Sequence, residues 1–149
     1  MGPSDLIRYS RKTLVLGAAV ATAMVLYGCS KQPEDPAPGT APREFRAFLT
    51  GYSYWDNTPP GSAAIARPVI HKLAGGTGTY ADPITLAVGH RIDRGRQTLD
   101  YPAGTRFYFP RIQKYAIVED VCGDGPTPQN GPCFVGHKGY PWLDIYVGC

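Results

Sequence analysis

Two aspartates in the second half of the chain stand in segments where a charged side chain is unexpected. Asp120 belongs to the segment Tyr-Ala-Ile-Val-Glu-Asp-Val-Cys (115–122), and Asp144 to the segment Trp-Leu-Asp-Ile-Tyr-Val (142–147). A carboxylate in such surroundings must meet hydrogen-bond donors or hold a proton, because burying the bare charge costs several kcal/mol. Two carboxylates brought together by strand pairing would raise one pKa. A raised carboxyl pKa is what a general acid needs near neutral pH, so the residues predict acid–base chemistry.

The other reactive side chains lack the spacing of a metal or phosphate site. The glycine-rich stretch Gly75-Gly-Thr-Gly78 is not followed by Lys and Ser or Thr, as a phosphate-binding loop would be, and is typical of a turn. The closely spaced Cys or His pairs that put two ligands on one metal are absent from the candidates, which are Cys122, Cys133, His71, His90 and His137. We therefore predict no metal and no cofactor.

Length and composition limit the class of protein. The chain has 149 residues, which allows one compact domain plus a processing segment or tail. Its 18 Gly and 15 Pro favour turns, while 10 Tyr, 5 Phe and 2 Trp provide a core, so a small, turn-rich, all-β domain is expected and a long-helix bundle is excluded. The net charge of +3 is small and scattered, which argues against a nucleic-acid partner.

Short β-rich stretches bounded by turn residues run through the chain from residue 43 onward. This pattern is typical of an all-β barrel or sandwich. Turn chemistry predicts loops at 56–61, 74–78 and 123–132. The predicted strands are 45–54, 69–71, 84–88, 105–109, 115–119 and 143–147.

The first residues resemble an export signal. Three basic residues precede an uncharged run of fifteen residues (13–27), which is too short to span a bilayer as a permanent helix. The segment Leu26-Tyr27-Gly28-Cys29 resembles the bacterial lipobox, in which a peptidase cuts before a cysteine that carries a lipid. An uncleaved membrane anchor is the alternative for the apolar segment, and a buried or disulfide-bonded cysteine is the alternative for Cys29.

The segment that follows has four prolines and no large apolar residue, so it is predicted to be a semi-rigid tether. The expected organisation is a lipoprotein signal peptide (1–28), a lipid anchor and tether (29–42) and a folded domain (43–149). The resemblance implies a cell-envelope protein that is anchored to a membrane through the lipid on Cys29. In a Gram-negative host this membrane is the outer membrane.

Four cysteines in an exported protein indicate disulfides. With Cys29 lipidated, Cys122 and Cys133 are the preferred pair because they flank the turn-rich loop 123–132. The partner of Cys149 stays open.

Three blocks in the second half of the chain resemble a known family. In order they are Pro-x-Gly-Thr-x-x-Tyr-x-Pro (102–110), Val-Glu-Asp-x-x-Gly (118–123) and Asp-Ile-Tyr-Val (144–147). They are similar to the three-aspartate domain, a double-psi β-barrel found in membrane-bound lytic transglycosylase A, and more loosely to the barrels of rare lipoprotein A and the expansins. The resemblance covers about 60 residues (84–147) and implies a small six-stranded double-psi β-barrel with long loops.

The resemblance also implies an activity, which is cleavage of the β-1,4 bond of peptidoglycan without water. Asp144 corresponds to the acid/base and Asp120 to its electrostatic partner, while Asp100 is the candidate for the third carboxylate. The aromatic residues Tyr54, Trp55 and Trp142 are candidates for stacking on sugar rings.

Two other functions fit the same residues. The aspartates of such barrels can also anchor turns without any catalysis. A noncatalytic glycan-binding or expansin-like wall-loosening barrel, and a protein-binding barrel similar to a protease inhibitor, are therefore alternatives. The expected partners are peptidoglycan or another wall glycan and a membrane, and the expected state is a monomer.

Overall fold

The computed structural model describes residues 5–10 and 42–148, whose regular structure is almost entirely β-strand. The sequence-based prediction of an all-β domain is thereby confirmed. The helical pieces in these residues are a 3-10 turn (Pro128–Asn130) and a four-residue helix, α1 (Pro132–Val135). The strands are β1 (Asp5–Ser10), β2 (Arg43–Tyr52), β3 (Ile84–Asp93), β4 (Arg96–Leu99), β5 (Arg106–Phe109), β6 (Lys114–Cys122) and β7 (Trp142–Tyr146).

The strands form one curled sheet in the order β4-β3-β6-β5-β1-β2-β7. Strand β7 pairs with β2 and also with β3, so the two sides of the sheet meet. The pairs β2–β7 and β3–β6 are parallel, whereas β3–β7 is antiparallel. Strand β3 therefore lies between β6 and β7, which are consecutive strands in the sequence.

The core follows from the two-residue period of the strands. Phe107 and Phe109 of β5 alternate with polar or half-exposed residues and are fully buried, and Leu143 and Ile145 of β7 face the same core. Burying a side chain of this size stabilises the fold by roughly 1.5–3 kcal/mol. The same alternation puts Asp144 on the opposite face of β7, away from the core.

The strand predictions hold for five of the six segments, with shifted boundaries, and the sixth is wrong. Residues 69–71 form no strand, because the N–H groups of Val69, Ile70 and His71 all bind the side chain of Glu119 and not a neighbouring strand. Strand β4 was not predicted. It follows a two-residue turn in which Arg94 and Gly95 both have positive φ. Arg rarely occupies the first position of such a turn, so the sequence does not predict it.

The disulfide prediction is confirmed. Cys122 and Cys133 are joined, with their Cα atoms 5.7 Å apart, at the two ends of the predicted loop 123–132. Closing a loop of this length contributes on the order of 2–3 kcal/mol. Cys149 and the predicted lipid-bearing Cys29 lie outside the described residues.

The predicted signal peptide overlaps the first strand. Asp5–Ser10 pairs antiparallel with both β2 and β5 and so lies between them. The apolar run and the predicted tether, apart from residue 42, lie outside the described residues. No helix in residues 5–10 and 42–148 is long and apolar enough to cross a membrane.

Candidate functional site

The site is organised by one row of residues across four strands. Ala87 of β3 pairs with Asp120 of β6 on one side and with Asp144 of β7 on the other, and Asp144 pairs in turn with Thr50 of β2. The two aspartates therefore lie on either side of β3, one strand away from it in each direction. The small side chain of Ala87 leaves the space between the two carboxyl groups open.

A β-bulge in β6 sets this register. Leu86 pairs with Val118 and the next residue of β3, Ala87, pairs with Asp120, so Glu119 is an extra residue without a partner in β3. A bulge re-aims the side chains beside it and strengthens the local twist. Without the extra residue, Asp120 would not lie in the row that contains Asp144.

Both aspartates open into one cavity of about 450 Å³. Its walls come from the end of β2, the loop that follows it, β6 and the start of the disulfide loop. No Lys or Arg is among the described residues that line it. Its carboxylates are Asp56, Asp120, Asp124 and Asp144.

Asp120 is held by three hydrogen-bond donors. The Tyr52 hydroxyl donates to Oδ2 at 2.9 Å, and the backbone N–H groups of Ala66 and Val121 donate to Oδ1 at 3.0 and 2.9 Å. Burial raises the pKa of Asp120, and these three donors offset only part of that effect. The donors nevertheless give Asp120 better support for a negative charge than its neighbour Asp144 has.

Asp144 has a sparser set of partners. The Thr50 hydroxyl donates to Oδ1 at 2.7 Å and itself accepts a hydrogen bond from Trp142 Nε1 at 2.7 Å, which fixes its orientation. The other oxygen, Oδ2, lies 3.9 Å from the Cys122 sulfur, which is in the disulfide and has no proton to donate. Burial raises the pKa of Asp144, and the charges of Asp56 and Asp120 add to the increase.

The Tyr52 hydroxyl is a buried partner of Asp120. Burial, and next the charge of Asp120, raise the pKa of this phenol far above its ordinary value of 10.0. Tyr52 therefore keeps its proton at any physiological pH and acts only as a hydrogen-bond donor to Asp120.

Asp100 lies elsewhere. It lines a separate cavity of about 370 Å³ together with Arg43, Arg46, Tyr101 and others, and burial raises its pKa. The structure thus brings together two of the three predicted carboxylates and puts the third in a different pocket.

Replacing Asp100 by asparagine is therefore expected to leave the chemistry of the Asp120–Asp144 cavity unchanged. The chemical shifts of the two cavity carboxyl groups, followed by carbon NMR in a pH titration, should match those of the wild-type protein. A displaced titration of Asp144 in this variant would contradict the separation of the two pockets.

The three predicted sugar-stacking residues surround the site without lining its cavity. Trp55 is 69% exposed and packs edge-on against Tyr54 with ring centres 5.1 Å apart, directly before the cavity residue Asp56. Trp142 is half-buried against Phe48 and supports Thr50. Of the three, Trp55 is the one whose ring is available to a ligand.

Sequence reasoning missed two residues of the site and two residues that lie outside its cavity. Thr50 and Tyr52 alternate along a predicted strand, a signal that they share a face, but nothing local indicated which carboxylates they meet. Glu119 belongs to the sequence motif Val-Glu-Asp, which assigns it no role of its own. The residue type of His71 suggests a metal ligand, whereas in the structure it binds the Glu119 carboxylate.

Fold and site together define a small all-β domain with a surface cavity that is lined by Asp120, Asp144 and two further carboxylates. The chain belongs to the DDB_G0273701 N-terminal domain family, whose model matches residues 44–149. It is 42% identical over 82 residues to a Dictyostelium discoideum protein, DDB_G0273701/DDB_G0273221, whose name describes it as uncharacterized. The matched region is 55% of this chain and 32% of that protein, so the chain spans about a third of its relative. No solved structure matches the chain.

Proposed function

We propose that this domain cleaves a wall-type glycan, peptidoglycan in the first place, with Asp144 as the acid/base. The observation that carries the proposal is that Asp144 and Asp120 line one cavity, where different numbers of hydrogen-bond donors support the two carboxyl groups. Unequal environments of two carboxyl groups are the usual basis for dividing acid and electrostatic roles between them.

Asp144 suits the acid role because it has one donor and a raised pKa. Its free oxygen, Oδ2, carries no hydrogen bond from a proton donor in the described residues, so a proton there is available to a substrate. Asp120 suits the anionic role because three donors support its charge. A negative Asp120 also raises the pKa of Asp144 and would stabilise the positive charge that develops on the sugar.

The resemblance to lytic transglycosylases gives the sequence of steps. The protonated Asp144 donates its proton to the glycosidic oxygen as the bond from the muramic C1 breaks. The 6-hydroxyl oxygen of the same muramic residue then bonds to C1, and its proton returns to the Asp144 carboxylate. The product is a 1,6-anhydro sugar, no water is consumed, and one acid/base performs both transfers.

A noncatalytic glycan-binding barrel is the second candidate. It is favoured by the three donors on Asp120, two of them backbone N–H groups, because a carboxylate held in this way can serve only to fix a loop. The exposed Trp55 beside the cavity would supply a stacking surface for a sugar in either function.

The experiment that separates the two candidates is incubation of purified domain with isolated insoluble peptidoglycan. Release of soluble muropeptides with 1,6-anhydro ends, identified by mass spectrometry, is the result expected. Sedimentation of the protein with the wall and no release of products would overturn cleavage and support binding. If products are not released and the protein does not sediment with the wall, the third alternative remains, which is a protein partner.

We also propose that the chain is exported and lipidated on Cys29, as its N-terminal sequence suggests. Cleavage before Cys29 would remove β1, which lies between β2 and β5. The family match begins at residue 44, so the shared domain does not include this strand.

In a bacterial host, the membrane fraction is expected to contain a form that begins at Cys29 and carries a diacylglycerol. Mass spectrometry of the intact protein checks this, with Cys29→Ser as the control that should stay unprocessed. A mature protein that retains Asp5–Ser10 would contradict the export proposal and would indicate that β1 belongs to the working fold.

The cleavage rate should fall as the pH rises through the pKa of Asp144, because only the protonated acid can donate. Thr50→Val removes the hydrogen bond that lowers this pKa, so the alkaline limb of the kcat profile should move to higher pH. Thr50→Ser keeps the hydroxyl and should restore the wild-type profile. An alkaline limb that is the same in all three proteins would assign the titration to another group.

A further inference from the structure

A second cluster of charged groups lies behind the cavity. The imidazole of His71 stands between two carboxylates, with Nδ1 2.6 Å from Glu119 Oε2 and Nε2 2.9 Å from Asp82 Oδ1. Glu119 is completely buried, whereas Asp82 is partly exposed. None of these three residues lines the cavity of Asp120 and Asp144.

The carboxylate of Glu119 fixes a loop. Its Oε1 accepts hydrogen bonds from three consecutive backbone N–H groups, those of Val69, Ile70 and His71, at 3.1, 2.7 and 2.9 Å. Its Oε2 contacts His71 and accepts a longer bond from the Thr85 hydroxyl of β3. One buried carboxylate thus accepts the hydrogen bonds of three backbone N–H groups in a loop that forms no strand pairing.

The same loop reaches the site a few residues earlier. The N–H of Ala66 donates to Asp120 Oδ1, the N–H of Arg67 donates to the Glu119 carbonyl at 2.8 Å, and residues 64–66 form part of the cavity wall. Because Glu119 and Asp120 are adjacent at the bulge, the loop is tied to β6 through both carboxylates. The His71 cluster and the site therefore share one structural element.

We propose that His71 is a positioning residue for the Asp120–Asp144 site. It holds Glu119 in place, Glu119 holds the loop 64–71, and the loop keeps the Ala66 N–H on Asp120 and closes one wall of the cavity. The charged and titratable groups that face the imidazole are Glu119 of β6 and Asp82 of the following loop, and both are acidic. The catalytic part of this proposal rests on the proposed function.

Charge explains why a histidine suits this position. With both ring nitrogens protonated, each donates to one carboxylate, whereas a neutral ring would turn one lone pair toward an anion. Burial lowers the pKa of His71, but the hydrogen bonds to Asp82 and Glu119 outweigh burial and raise it above 6.5. The protonated imidazole therefore holds the cluster together more strongly than the neutral one, and the cluster loosens when the imidazole loses its proton.

The test compares His71→Gln with Lys72→Gln, a control at the next, exposed position. In His71→Gln, hydrogen exchange at the Ala66 and Ile70 amides should be about tenfold faster or more, because charge-assisted bonds are lost. The pKa of Asp120, followed by carbon NMR, should rise as the Ala66 donor is weakened. With an active enzyme, kcat should fall by about tenfold with a smaller change in KM.

The outcomes separate this proposal from the proposed function. Should the wild-type protein cleave no glycan, the exchange rates and the Asp120 titration still decide whether His71 positions the site. Unchanged exchange at Ala66 and an unchanged Asp120 titration in His71→Gln would overturn the proposal. If His71→Gln does not fold, Asp82→Asn replaces it as the test, because this variant keeps the contact between His71 and Glu119. It should show the same changes in exchange and titration to a smaller degree. Unchanged exchange and titration in Asp82→Asn would also overturn the proposal.

Discussion

Asparagine in place of Asp144 is expected to reduce the release of 1,6-anhydro muropeptides by about 10²- to 10⁴-fold, the usual contribution of general acid–base catalysis. The amide has the same shape and can still accept the Thr50 hydrogen bond, but it has no acidic proton for the glycosidic oxygen. Binding of the wall glycan should persist. Stability should not fall, since a neutral group replaces one whose charged form is disfavoured by burial.

The matched control for this variant is Asp93→Asn. Asp93 is an exposed aspartate at the end of β3 that does not line the cavity, so this variant makes the same Asp-to-Asn change away from the site. Its activity should equal that of the wild-type protein. An Asp144→Asn enzyme that keeps a tenth or more of the wild-type rate would remove Asp144 from the acid role and leave Asp120 as the candidate.

The overall class of fold could be predicted because its signals are local. Alternation in Arg-Phe-Tyr-Phe and Trp-Leu-Asp-Ile-Tyr marks β5 and β7 directly, and their apolar residues are indeed those that fill the core. The segment 69–71 has strand-forming residues as well. What makes it a loop is the carboxylate of Glu119, which lies 48 residues further along the chain and takes its backbone donors.

That Asp120 and Asp144 share a site was also foreseeable, because both are carboxylates in apolar strands. Their row depends on β3 lying between β6 and β7 and on the extra residue at Glu119, and neither is visible in the sequence. Asp100 illustrates the limit. It resembles a third site carboxylate by its order in the chain, but the register of β4 against β3 carries it to another cavity.

Alanine at position 119 should produce the largest loss of stability of any substitution considered for this domain. The change leaves three backbone N–H groups without their acceptor and removes one of the two carboxylates from the protonated His71. Breaking a buried charge pair in this way costs about 3–5 kcal/mol. Glu119→Gln keeps an oxygen for the N–H groups and should lose less, on the order of 1–3 kcal/mol.

The pH dependence of this loss gives a sharper test than its size. Hydrogen bonds outweigh burial and lower the pKa of Glu119 below 4.5, so its contribution is complete above that pH and is lost as the pH falls through the folded-state pKa. The pKa of His71 is raised, so its contribution is complete below 6.5 and is lost as the pH rises. The difference in unfolding free energy between wild type and Glu119→Gln, measured with urea, should therefore be largest between about pH 4.5 and 6.5. A difference that does not vary with pH would mean that Glu119 acts as a neutral acceptor of the loop, and that its pairing with His71 contributes nothing to the fold.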